Sequence, residues 1–161
     1  MNFFRTDGQA ALNALFVAAQ ETLHQYRDAV ALVEPDLGQV LGSISKQRHG
    51  FIRRLEDAVR ASGDLPTASD PDKEAGEMLF HHVAALIKTD YADEILEQRL
   101  EADKKLAELV IDARNTELVI DAPNKELEAQ YTLLLDDLTL HISETIVQLQ
   151  PLHARAIAQQ E

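Results

Sequence analysis

The chain contains no cysteine. That excludes disulfides, thiolate zinc sites, cysteine-bound iron and cysteine nucleophiles. Tryptophan is also missing, aromatics make up only 5% and there are six glycines, a poor supply for a β-sandwich or barrel. No stretch approaches the roughly 18 uncharged apolar residues of a spanning helix, so no membrane partner is expected. The start, Met1-Asn2-Phe3-Phe4-Arg5-Thr6-Asp7, lacks the charged region and apolar run of a signal peptide, which reads as cytoplasmic. Basic residues are scarce, 15 against 28 acidic ones, for a net charge of −13. A nucleic-acid binder needs a basic face to displace counterions, so no nucleic-acid partner is expected. There is no Gly-rich phosphate loop, no G-x-S-x-G elbow and no His-Glu-x-x-His. What is present is 161 residues, 45% hydrophobic and 27% charged, which suits one globular all-α domain over residues 1–161.

Hydrophobic spacing marks four long helices. Asp7 can cap the first, which the spacing carries to about Glu34 on a seam of Leu12, Phe16, Ala19, Leu23, Tyr26, Val30 and Val33. The alternation of three and four is a heptad seam for packing on other helices. Pro35 breaks the chain and opens a second helix, which runs to about Ser62 with Gly63 as its stop. Its seam is Leu37, Leu41, Ile44, Arg48, Phe51, Leu55 and Ala58. Two helices with so short a joint must be antiparallel neighbours. Residues 63–89 form a crossover, rich in turn formers at its start, with a short helix over about 71–88 behind Asp70-Pro71. The third long helix spans Tyr91 to about Arg114. Pro123 starts the fourth, whose seam is Tyr131, Leu135, Leu138, Ile142, Ile146, Leu149 and Leu152, with Pro151 expected to kink it before it ends near Ala158. Two hairpins joined by a single long crossover are the ferritin-type connection of a four-helix bundle.

One internal repeat stands out. The nine residues Glu108–Thr116 return almost unchanged as Glu117–Lys125. At about 100° per residue, nine residues in one unbroken helix would turn the second copy to the opposite face. The repeat reads as a local duplication that lengthened a helix end and its loop.

Chemistry in a bundle centre would fall to histidines and carboxylates. A carboxylate-bridged di-metal bundle uses a Glu on two helices and Glu-x-x-His on the other two, because i, i+3 spacing puts both ligands on one face. The chain offers Glu21-x-x-His24, Lys46-x-x-His49, Glu97 and Glu101, and Leu138-x-x-His141. Lys46 and Leu138 stand where glutamates would be needed. His24, His49 and His141 all lie near mid-helix, with His141 expected level with Glu97, and Asp137 and Glu144 a turn to either side of it. The candidate metal ligands are therefore His24, His49, Glu97, Glu101 and His141, a degenerate set that suits iron, manganese or zinc. The alternative use of the centre is polar but metal-free. Arg48, Arg99 and Asp103 fall close to the seams, and buried charges want partners.

The sequence resembles the ferritin-like superfamily, in particular bacterial stress-associated ferritin-like families of unknown function. The resemblance covers residues 8–158. It rests on Leu12-Asn13-Ala14-Leu15 opening a helix that runs into Tyr26, and on Gln47-Arg48-x-x-Phe51-x-x-x-Leu55. The Pro-bearing crossover, the acidic helix around Glu97 and Glu101, and His141 complete it. It implies metal storage, oxidation or peroxide chemistry at a central di-metal site, with His24 where a first-helix glutamate ligand would stand. Two functions follow as expectations: a ferritin-like metal-binding bundle, or a metal-free helical interaction or structural module. Helix faces offer a homodimer in either case.

Overall fold

The computed structural model, which describes residues 4–68, 91–116 and 125–160, shows four α-helices and, among those residues, no strand. Helix α1 is Asp7–Val30, α2 Pro35–Ala61, α3 Ala92–Asn115 and α4 Lys125–Ala158. The expected short helix over 71–88 and the start at Pro123 lie outside the described residues, as does the second copy of the repeat apart from Lys125.

Helix α1 is capped by Thr6, one residue earlier than expected. The Thr6 hydroxyl accepts from the Gln9 amide at 3.1 Å, and the Gln9 side chain accepts from the Thr6 amide at 3.0 Å. This reciprocal box satisfies two amides of the first turn, and Asp7 adds a favourable charge beside them. The helix stops at Val30, not Glu34. Pro35 contributes twice: its ring holds Glu34 extended at ψ 153, and its missing N–H leaves the Ala31 carbonyl without the amide that would continue the helix. Pro35 then occupies the first turn of α2, where its missing N–H costs nothing. The turn is tight enough that a Cβ on Gly38 would lie 3.3 Å from the Val30 carbonyl oxygen. Gly63, at φ +84, ends α2 in the left-handed region that a side chain disfavours. Helix α4 stays helical through Pro151.

The apolar core has two halves. One joins the start of α1 (Leu12, Leu15, Phe16) with the ends of α2 and α3 (Leu55, Val59; Val110, Ala113) and the early part of α4 (Leu135, Leu138). The other joins the end of α1 (Tyr26, Ala29) with the start of α2 (Leu41, Ile44), the start of α3 (Ile95, Leu96) and late α4 (Leu149). Helices α1 and α4 therefore run one way, and α2 and α3 the other. Each helix packs on two neighbours: α1 on α2 and α3, and α4 on α3 and α2. Ser62 and Tyr91 lie at opposite ends of the bundle as a result. After α2 the chain turns back along α1. Arg5 pairs with Asp64 at 2.7 Å, Thr67 donates its amide to Asn13 at 3.2 Å, and Gln20 donates to the Thr67 carbonyl at 3.1 Å.

Candidate functional site: a buried polar layer

Between the two apolar halves every helix contributes polar side chains. From α1 come Thr22 and Tyr26, from α2 Arg48, from α3 Asp103, and from α4 His141 and Thr145, all buried. The sequence places them there by register. Arg48 lies one turn beyond Ile44 and one turn before Ile52; Asp103 lies between Leu100 and Leu106. Each is a seam position at helical spacing, so the side chain must enter the core whatever its charge.

Arg48 is the centre of the layer and is fully buried. Its Nη1 donates to Asp103 Oδ1 at 2.6 Å and to Thr22 Oγ1 at 3.1 Å, and its Nη2 donates to Asp103 Oδ2 at 3.1 Å. Its Nε donates to His141 Nε2 at 3.3 Å. The fork-on-carboxylate geometry is the strong bidentate form of the Arg–Asp pair. Asp103, also fully buried, takes a third hydrogen bond from Tyr26 Oη at 2.8 Å. Thr22 passes its own proton to the Ala19 carbonyl at 2.8 Å, which leaves its oxygen free to accept from Arg48. Two guanidiniums approach the Tyr26 ring, with the carbon of Arg48 5.0 Å and that of Arg99 5.7 Å from its centroid. Arg99 donates to Gln25 at the edge of the layer.

His141 closes the fourth side. Phe51 stacks on its ring at 4.9 Å and 24°, and the Arg54 guanidinium lies over the Phe51 ring at 5.5 Å. Because Nε2 accepts from Arg48, the imidazole is neutral and its proton is on Nδ1. Burial, and next the Arg48 charge, lower its pKa to about 4, against a smaller opposing pull from Asp103. Burial and then the Asp103 carboxylate push the Tyr26 phenol far above its ordinary value. Neither group is poised to exchange a proton near neutrality.

The five residues singled out as candidate ligands do not come together. His141 is buried in the layer, His24 is half-buried, and His49, Glu97 and Glu101 are exposed. Among the described residues no three His, Asp or Glu side chains lie close enough to hold a metal ion. The register explains this. At 100° per residue, His49 is turned a quarter of the way round from Arg48, and Glu97 and Glu101 are turned at least 120° from Asp103. The α3 side chain that reaches the layer of His141 is Asp103 and not Glu97. Asp137 pairs instead with Arg54 at 3.0 Å, and Glu144 is exposed. Sequence spacing does point to Arg48 and Asp103. The roles of Tyr26 and Thr22 escape it, because a seam tyrosine or threonine reads as packing until its hydroxyl has a partner.

A second concavity lies near one end, between the last turns of α2 and the first of α4. It has a volume of about 260 Å³ and is lined by Arg54, Ala58, Leu127, Tyr131 and Leu134 among others. It is separate from the polar layer and mostly apolar. No protein-family model matches this chain, and no curated protein or solved structure matches it.

Proposed function

We propose that this chain is a metal-independent helical bundle of the structural or interaction kind. Its central layer sets the register of four helices so that their outer faces are presented in one arrangement. One observation carries the reading. The place where a bundle metal would sit is taken by the Arg48 guanidinium, bidentate on Asp103 and hydrogen-bonded to His141. A fixed positive charge repels a divalent cation, and His141, the one buried histidine among the described residues, already spends its Nε2 lone pair on Arg48. The donor set of this layer therefore does not fit iron, manganese or zinc, each of which needs several free lone pairs converging on one point. Layers of this type set which helices pair and in what register, and add less to net stability than their hydrogen bonds suggest. The helix directions and neighbours support reading the fold as a bundle of ferritin-like connection with its metal chemistry replaced by an ion pair.

Metal analysis tests this. Protein purified without added metal, and protein incubated with Fe(II), Mn(II) or Zn(II) and desalted, should both carry clearly substoichiometric metal and melt at the same temperature. One bound metal per chain that is lost in His141→Ala would overturn the reading.

A further inference from the structure

A line of exposed apolar residues runs along the outward side of α4. Leu133, Leu140 and Val147 recur every seven residues and are 55%, 58% and 68% exposed. Seven residues return a helix to within about 20° of the same direction. Ala129, Pro151, Ala154 and Ala158, all exposed, extend the same line, which measures about 40 Å at 1.5 Å per residue. From Leu138 to Ala154 the only charged residue is Glu144. Scattered exposed leucines need no explanation, but a continuous line on a chain of net charge −13 does.

We propose that a second copy of this chain packs on this face, with the two α4 helices antiparallel and a twofold axis at Leu140. The proposal rests on reading the bundle as an interaction module and names its partner. The charge pattern selects this occupant and this register. In an antiparallel pair centred on Leu140, a residue meets the one equally far on the other side of 140. Leu133 then packs on Val147 of the other copy, and Leu140 on itself. Glu126 comes level with Ala154 and so lies one residue from Arg155 on the same side of the seam, at both ends of the pair, while Lys125, level with Arg155, is on the other side. Glu144 comes beside Asp137 and its ion-paired Arg54, whose side chain is 40% exposed and able to bridge both carboxylates. Asp136, held at 2.6 Å by Arg114, meets the uncharged Ser143. A parallel pair would gather both Arg155 at one end and both Glu126 at the other. Isologous pairing of one surface patch is the commonest form of self-association.

Sedimentation equilibrium on the full chain tests the proposal. The wild type should be a dimer in the micromolar range. Leu140→Asp places two carboxylates at the axis and should weaken association by about 100-fold or more, with helical circular dichroism unchanged because Leu140 is exposed in the folded chain. The absence of cysteine allows a direct check of register. Leu140→Cys should form a disulfide-linked dimer under mild oxidation, Leu133→Cys alone should not, and Leu133→Cys combined with Val147→Cys should. A monomeric wild type, a dimer indifferent to Leu140→Asp, or cross-linking by Leu133→Cys alone would each overturn it. A monomer free of metal would sink only the dimer. Stoichiometric metal would sink the functional reading whatever the oligomeric state.

Discussion

Arg48 and Asp103 hold each other in the core, and the residues around them can be tested one at a time. Tyr26 donates to a carboxylate that is fully buried. Tyr26→Phe keeps the ring beside the two guanidiniums and removes only that donor. A hydrogen bond to a buried charged group is worth about 1.5–3 kcal/mol, so the variant should lose that much stability in urea unfolding. His141 makes a prediction in pH. Its folded pKa of about 4 lies below the value of 6.5 for an unperturbed imidazole. The unfolded chain therefore takes up this proton first as pH falls. The stability that neutral His141 confers is complete above pH 6.5, shrinks as pH falls below it, and stops shrinking below about 4. From pH 7.5 to 5 this one group should remove about 2 kcal/mol. The stability of His141→Gln should fall less than that of the wild type over the same interval. Equal slopes for the two proteins would show that His141 is not held neutral by the fold.

The helices themselves were largely legible in the sequence, and the departures have local causes. The seams of α1 and α2 were read down to Leu12, Phe16, Ala19, Leu23, Leu41, Ile44 and Leu55, all of which are buried. A single-file seam was too narrow for α2, where Ile52 and Val59 are in the core while Phe51 and Ala58 are half-buried. A helix touching two neighbours needs a stripe two residues wide, and heptad counting returns only one of them. The end of α1 was missed because periodicity carries no information about φ and ψ at Glu34, where the following proline decides. The cap was missed because Thr6 and Asp7 are both good capping residues, and only the reciprocal bond with Gln9 separates them. Thr6→Ala removes that box and should cost about 1 kcal/mol, read as a lower midpoint in urea with an unchanged slope. His141 lies level with Asp103 and not Glu97 because α4 runs past the end of α3. Arg114 pairs with Asp136, so α4 begins well before it meets α3. The candidate site was legible only where a charge sat in a seam. Arg48 and Asp103 meet that condition; His49, Glu97 and Glu101 are exposed, and His24 is half-buried.

At the scale of the molecule, the described residues form two apolar half-cores separated by one polar layer to which all four helices contribute. That arrangement has a physical consequence. An apolar core of leucines tolerates sliding of one helix against another, because one leucine substitutes for the next. A bidentate arginine that must meet Asp103, Thr22 and His141 together admits one alignment of α1, α2, α3 and α4. The desolvation of the pair opposes folding, and its hydrogen bonds offset that cost only in this alignment. The account stands or falls on that coupling, and a double-mutant cycle on Arg48 and Asp103 measures it most directly. Asp103→Leu leaves a buried guanidinium without its anion, and Arg48→Met leaves a buried carboxylate with Tyr26 alone. Each should lower the unfolding free energy by about 3–5 kcal/mol. The double variant, which has neither charge, should fold and recover most of that loss, giving a coupling energy above about 2 kcal/mol. Single losses that simply add, with the double variant the least stable of the four proteins, would contradict it.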